Sequence, residues 1–231
     1  MMNKSYASVL GFNKRTNQDS YKVTETKKYL LLCVADGLGS SQYSHIGSLY
    51  AVKAIKKAIV EWRNLKNKDI NILIQMINFY WNLYIKDANY KKDDCQSTCL
   101  FVYIDKLTQE VTIGQLGDGM IYFKSENTIY LSDKLDDFNY TKSLGKSTKM
   151  SDWNTFHSKI DLNKFKCFLA TDGISDDIVT NKEEEFLDTL IVKVSDNNLK
   201  SRNHILKGIL KEWLTKFHID DKTICTAWGN K

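Results

Sequence analysis

Short runs of apolar residues, some of them alternating with polar residues, recur along the chain and are separated by polar clusters. Runs of this length and pattern are typical of β-strands. They predict ten strands, at residues 6–12, 21–26, 29–35, 98–104, 110–116, 120–124, 128–131, 155–160, 167–171 and 223–228. Apolar residues at three- and four-residue steps predict amphipathic helices at residues 46–62, 70–84 and 205–217. Two further helices are predicted, a short one after Asp172 and another at residues 182–194.

The order of these elements favours an α+β fold. Strands come first, then two helices, a long run of strands, and finally a helix and one more strand. Segregated runs of this kind differ from the regular alternation of βαβ units. Two antiparallel sheets flanked by helix pairs would accommodate them. No shift in composition marks a boundary, so we expect one domain over residues 1–231.

Composition and charge narrow the class of protein. The chain has 231 residues, of which 42% are hydrophobic and 26% charged, as in ordinary globular proteins. No run of 18 apolar residues is present, so we expect no contact with a membrane. The net charge of +5 is spread along the chain without a basic run, which argues against nucleic-acid binding. The five cysteines lack a CxxC spacing, so we expect reduced thiols in a cytoplasmic protein and no zinc site. We also expect a monomer.

Aspartates at the ends of predicted strands are the most informative feature of the sequence. Asp36, Asp118 and Asp172 each follow a predicted strand and precede a glycine, Asp19 lies between the first two strands, and Asp220 precedes the last. A carboxylate at the end of a buried strand is costly unless a cation compensates its charge. Mg²⁺ and Mn²⁺ prefer such oxygen ligands. Asp-Gly is also a common turn signal and Asp a common helix cap, so a purely structural role stays open for each.

Six motifs carry a resemblance that spans nearly the whole chain. They are Asn17-Gln18-Asp19, Val34-Ala35-Asp36-Gly37-Leu38-Gly39, Gln96-Ser97-Thr98, Gly117-Asp118-Gly119, Thr171-Asp172-Gly173-Ile174-Ser175-Asp176 and Asp220-Asp221-Lys222-Thr223. In this order they resemble the metal-dependent (type 2C) serine/threonine protein phosphatase family, in its compact bacterial-type branch. The resemblance implies a four-layer αββα sandwich with a metal site at one end of the two sheets.

The resemblance also implies a ligand set for two Mn²⁺ or Mg²⁺ ions, with a third ion in many members. Asp36 would bridge two ions, and its catalytic importance follows from that position. Asp118 and Asp176 would hold the third ion. The complete implied set is Asp19, Asp36, Gly37, Asp118, Asp172, Asp176 and Asp220.

The implied activity is hydrolysis of phosphoserine and phosphothreonine monoesters on proteins, by a hydroxide that bridges the two metals. The implied partners are a phosphorylated protein and a cognate serine/threonine kinase. Two alternatives stay open. One is a catalytically weak, phosphatase-like sensor or scaffold that binds a kinase or a phosphoprotein, and the other is a phosphatase for small phosphoesters.

Two departures from the family pattern concern the substrate. The phosphate-binding arginine of the family lies five residues before the motif aspartate, where this chain has Lys14, with Arg15 next to it. Adjacent strand residues point to opposite faces, so only one of the two can face the site. Arg15 offers the bidentate chemistry and is slightly favoured, whereas Lys14 fits the spacing. The segment between Asp118 and Asp172 is short for the family, which implies a reduced flap beside the site.

Overall fold

The computed structural model of the chain describes residues 2–132, 141–147, 149–213 and 219–229. Its ten strands are β1 (Asn3–Val9), β2 (Asp19–Glu25), β3 (Tyr29–Asp36), β4 (Cys99–Asp105), β5 (Glu110–Leu116), β6 (Met120–Ser125), β7 (Thr128–Leu131), β8 (Asn154–Lys159), β9 (Lys166–Ala170) and β10 (Lys222–Trp228). Its α-helices are α1 (Ser44–Trp62), α2 (Ile70–Asp87), α3 (Asp172–Ser175), α4 (Glu183–Val194) and α5 (Leu199–Glu212).

Two five-stranded antiparallel sheets form the centre of the fold. The strand order is β2-β3-β4-β5-β8 in the first sheet and β1-β10-β9-β6-β7 in the second. Both sheets contribute to one shared apolar layer, with Leu32 and Val102 from the first and Phe123 and Leu169 from the second. Strands β3 and β4 are buried along nearly their whole length because both of their faces are covered.

A helix pair covers the outer face of each sheet. Helices α1 and α2 pack on the first sheet through residues such as Ile55, Trp62 and Trp81. Helices α4 and α5 pack on the second sheet through Leu187 and Leu206. Four layers result, and the predicted α+β class, a four-layer αββα sandwich of two antiparallel sheets flanked by helix pairs, is confirmed.

Two predicted elements are displaced along the chain. Strand β1 ends at Val9 and not at residue 12, because the chain turns after it and Asn13 adopts a left-handed conformation with φ of 62°. Helix α5 begins at Leu199, where the Asn198 side chain accepts a hydrogen bond from the Ser201 amide at its N-cap. The apolar pattern starts later because the first turn of this helix is polar. Residues 214–217 of the predicted helix lie outside the described residues.

The remaining general predictions concern cysteines and membranes. All five cysteines are buried and free, so none forms a disulfide. In the described part of the chain, no helix is both long enough and apolar enough to cross a membrane.

Candidate active site

Strands β2 and β3 place the first two aspartates of the site opposite each other. Asp19 begins β2, Asp36 ends β3, and the two are direct partners in the antiparallel register. The Thr171 hydroxyl, at the end of β9 in the other sheet, donates a 2.8 Å hydrogen bond to Oδ2 of Asp19. This bond joins the two sheets at the end where Asp172 begins α3. The sequence separates these residues widely, but the sandwich brings them to one end.

Acidic side chains from further segments complete an acidic cluster, which we define as Asp19, Asp36, Asp118, Asp172, Asp176 and Asp220. Burial raises the pKa of Asp36 well above its ordinary value, and the charges of Asp19, Asp172 and Asp118 raise it further. Burial, with the charges of Asp118, Asp19 and Asp220, raises the pKa of Asp172 to about 8. Burial also raises the pKa of Asp118, and the charge of Asp176 adds to the effect. All six predicted acidic ligands are therefore linked by mutual repulsion.

The acidic cluster suits a hard divalent cation in its donor chemistry. Burial raises the pKa of Asp19 to about 6, and its Oδ1 atom is buried without a hydrogen-bond partner among the described residues. A buried oxygen of this kind costs free energy unless a proton or a cation meets it. Within the described ranges, no three acidic, histidine or cysteine side chains are arranged to hold an ion as they stand. The structure therefore brings carboxylate oxygens to this end of the sandwich without arranging three of the described side chains around an ion.

The Asp36-Gly37 turn is fixed by its neighbours on both sides. The Asp36 amide donates to Oγ1 of Thr98, and the Thr98 amide donates to the Asp36 carbonyl, both at 2.8 Å. The Gly37 amide donates to the Gln18 carbonyl at 3.1 Å. A Cβ at Gly37 would lie 2.4 Å from the Ser44 carbonyl oxygen, so the start of α1 leaves room only for glycine. Three of the sequence motifs thus meet at this turn.

The Gly117-Asp118-Gly119 turn is a crossing between sheets and not a hairpin. It connects β5 of the first sheet to β6 of the second, so the alternative of a hairpin turn is wrong here. Both glycines have positive φ, +88° at Gly117 and +92° at Gly119, a region that side chains disfavour. The Thr141 hydroxyl donates to Oδ2 of Asp118 at 3.0 Å. The turn therefore places Asp118 close enough to Asp36 and Asp172 for its charge to raise the pKa of both.

Lys14 and Arg15 lie in the loop between β1 and β2, so the premise that they occupy adjacent strand positions is wrong. The ammonium group of Lys14 lies 2.8 Å from Oδ1 of Asp220 and 3.5 Å from Oδ2 of Asp221. Partial burial lowers the pKa of Lys14, but the hydrogen bond to Asp220 and the nearby negative charges outweigh it and raise the pKa overall. Arg15 is exposed. The geometry therefore favours Lys14 as the cation beside the site, the reverse of the sequence preference.

Asp221 belongs to one of the six sequence motifs, but the sequence analysis assigned no role to it. It is 2% exposed, and its carboxylate accepts hydrogen bonds from the Gly11 amide at 2.7 Å and the Gln18 amide at 2.8 Å. These bonds fix both ends of the loop that carries Lys14. The sequence feature that could have indicated this role is the pair of adjacent acids Asp220-Asp221. Neighbouring side chains usually point in different directions, so two adjacent acids are not expected to share one role.

The fold and its acidic end have the architecture that the sequence resemblance implies, a four-layer αββα sandwich with aspartates at one end of the two sheets. A sequence model of the protein phosphatase 2C family matches residues 13–216. The chain belongs to the protein phosphatase 2C family. No curated protein sequence matches the chain.

Solved structures share the fold over almost the entire chain. The serine/threonine phosphatase Stp1 from Staphylococcus aureus is 20% identical, with a TM-score of 0.70 over 100% of this chain and 96% of that one. The catalytic domain of the serine/threonine protein phosphatase PstP, in complex with 2 manganese ions, is 16% identical, with a TM-score of 0.63 over 100% and 99%. RsbX in complex with magnesium is 18% identical, with a TM-score of 0.63 over 98% of each chain.

Proposed function

We propose that this protein is a divalent-metal-dependent phosphatase that hydrolyses phosphoserine and phosphothreonine monoesters on proteins. The observation that carries the proposal is the acidic cluster, in which aspartates from separate segments meet at one end of the sandwich and raise one another's pKa. Membership of the protein phosphatase 2C family supports the same reaction. A divalent cation is the partner that relieves this repulsion while it leaves the carboxylates ionised.

The residues of the acidic cluster would form two groups, one that holds two ions and one that holds a third. Asp19, Asp36, Asp172 and Asp220, with the Gly37 carbonyl, would hold two Mn²⁺ or Mg²⁺ ions, and Asp118 with Asp176 would hold a third. When bound, these ions activate water and offset negative charge on the phosphoryl oxygens. Thr171 holds the Asp19 carboxylate in place through its hydroxyl.

Lys14 would contact the substrate. Its ammonium group already lies among carboxylate oxygens, so it stays protonated and can bind a phosphoryl oxygen as a point charge. Asp221 positions the Lys14 loop by binding the amides at its two ends. A cation at this place orients the phosphoryl group and contributes electrostatic stabilisation as charge moves in the transition state.

The proposal extends to the partners, the location and the oligomeric state of the protein. The substrate would be a phosphorylated protein, and a serine/threonine kinase would supply it. We propose a cytoplasmic protein that acts as a monomer, with residues 1–231 forming one domain around three continuous apolar layers.

The direct test is hydrolysis of a phosphothreonine peptide with Mn²⁺ and with a chelator. Turnover with Mn²⁺, its loss on chelation, and its loss in Asp172→Asn would support the proposal. The matched control is Asp87→Asn, because Asp87 is an exposed acid at the end of α2. Metal-independent turnover would contradict the proposal. Binding of a phosphoprotein without turnover, unaffected by the chelator, would favour the sensor or scaffold.

A further inference from the structure

Three exposed apolar residues lie on the two loops that carry Lys14 and Asp220, and we name them the apolar rim. They are Leu10 with 47%, Phe12 with 72% and Ile219 with 53% of the residue surface exposed. Single exposed apolar residues are common on protein surfaces, but a group of them beside a polar site indicates an interaction surface. These three residues do not belong to the acidic cluster, so the cluster does not explain why they are apolar.

Backbone contacts hold the two parts of the apolar rim together. Gly11 lies between Leu10 and Phe12, and a Cβ placed on it would lie only 2.1 Å from the Ile219 carbonyl oxygen. The Gly11 amide also donates a 2.7 Å hydrogen bond to Oδ1 of Asp221. The two loops are therefore in direct contact, and their relative position is fixed by the buried Asp221 carboxylate.

The apolar rim lies on the same two loops as the place proposed for the phosphoryl group. Phe12 is two residues before Lys14, so their Cα atoms are at most about 7 Å apart. Ile219 directly precedes Asp220, whose carboxylate lies 2.8 Å from the Lys14 ammonium. A ligand that places a phosphoryl group at Lys14 therefore has an apolar surface within reach on the same two loops.

We propose that the apolar rim binds a bulky apolar side chain of a phosphopeptide substrate, one to three residues from the phosphorylated residue. The inference rests on the proposed function, because it presumes that Lys14 marks the phosphoryl position. An extended peptide advances about 3.3 Å per residue, so a side chain at these positions spans the gap between Lys14 and the rim. Small phosphoesters such as sugar phosphates present hydroxyl groups to this surface and gain nothing from it. The substrate class is therefore a protein segment with an apolar residue close to its phosphorylated residue.

The experiment compares pairs of phosphothreonine peptides, in which one position, one to three residues from the phosphothreonine, holds leucine in one peptide and serine in the other. We expect the wild-type protein to hydrolyse the best leucine peptide with a kcat/KM about 5–10-fold higher, because part of one apolar side chain becomes buried. Phe12→Ser should remove this preference through KM, with kcat little changed. Leu10→Ser should reduce it partially, and neither substitution of an exposed side chain should unfold the protein.

The matched control is Leu107→Ser, since Leu107 is 67% exposed and follows β4, at the end of the first sheet away from Asp36. It should keep the full preference for the leucine peptide. The small ester p-nitrophenyl phosphate should be hydrolysed equally by wild type and Leu107→Ser, and thermal unfolding with a chelator should give Phe12→Ser the Tm of the wild type.

Several outcomes would overturn the proposal. Equal rates on the leucine and serine peptides in the wild type would do so, as would a preference that Phe12→Ser leaves intact. A change of oligomeric state in Phe12→Ser, seen by sedimentation, would assign the rim to a contact between copies of the chain. Absence of wild-type turnover on every phosphoester would instead contradict the proposed function, and so the two failures are distinguishable.

Discussion

The Asp36 side chain lowers the stability of the metal-free protein, whereas the proposed activity requires it. Burial, together with the negative charges of three neighbouring acids, raises the pKa of its carboxyl group well above the ordinary value. The rest of the fold therefore tolerates this side chain at a cost in free energy. Such a cost is common at functional sites, where a substitution can stabilise the protein and abolish its activity.

The variant Asp36→Asn tests both effects, on stability and on activity. Without metal, we expect the free energy of unfolding to rise by about 1 kcal/mol, or about 2–4 °C in Tm, because the repelling acid is gone. With Mn²⁺, we expect phosphatase activity to fall about 100-fold or more, because a ligand charge is lost. Thermal unfolding with a chelator and a phosphopeptide assay measure the two effects. A lower metal-free Tm with full activity would show that Asp36 is merely structural.

Lys14 and Arg15 can be separated in the same assay. Lys14→Ala should raise KM for a phosphopeptide about 10-fold, as expected for a lost charge-assisted hydrogen bond. Arg15→Ala should change KM less than about twofold, because the Arg15 side chain is exposed and surface charges contribute little. The reverse order of effects would restore the preference that the residue types alone suggested.

At the scale of elements, the sequence predicts the type of each segment well and its geometry less well. Strands β3 and β9 are readable because both are short apolar runs near an Asp-Gly pair, since β3 ends at Asp36 and β9 ends two residues before Asp172. The placement of Lys14 was not readable, since the turn after β1 depends on a hydrogen bond to Asp221, which is distant in sequence. The same limit applies to the Gly117-Asp118-Gly119 turn. The chain passes from one sheet to the other there, and no local sequence pattern predicts this change.

Two glycines should respond to alanine in opposite directions. A Cβ at Gly119 would lie 2.7 Å from the Ala170 carbonyl oxygen, and its φ is positive, so Gly119→Ala should destabilise the protein by about 2 kcal/mol. Gly208 lies inside α5, and a Cβ there meets nothing within 4 Å, so Gly208→Ala should stabilise by about 0.5–1 kcal/mol. Urea unfolding measures both, and destabilisation by Gly208→Ala would contradict the described packing of α5.

Glu25 joins strand β2 to two neighbouring segments and gives the fold a dependence on pH. Burial tends to raise its pKa, but hydrogen bonds from Lys106 and Lys4 outweigh this and lower the pKa from 4.5 to about 2. Since the folded pKa is lowered, the carboxylate contributes stability above about pH 4.5, and that contribution is lost as the pH falls toward 2.

Glu25→Gln should therefore destabilise the protein by about 1–2 kcal/mol at pH 7, where the wild-type carboxylate is ionised. The difference between variant and wild type should shrink as the pH falls from about 4.5 toward 2. Chemical denaturation at a series of pH values measures this difference. A difference that is constant across that range would show that Glu25 acts through packing and not through its charge.

At the scale of the whole molecule, the sandwich brings aspartates that are far apart in the sequence to one end of the fold. Asp19 and Asp36 come from one sheet, Asp172 follows a strand of the other, and the two sheets are joined at this end by the bond from Thr171 to Asp19. Apolar periodicity could predict the strands and helices, and the motifs could predict which aspartates come together at one end of the sandwich. The coordination of ions stays a prediction, because the described side chains are not arranged around an ion.

Calorimetric titration of the metal-free protein with Mn²⁺ tests the central claim most directly. The account predicts at least two bound ions per chain, with the loss of at least one in Asp36→Asn and no loss in Asp87→Asn. Absence of Mn²⁺ binding by the folded wild-type protein, or binding that Asp36→Asn leaves unchanged, would contradict it.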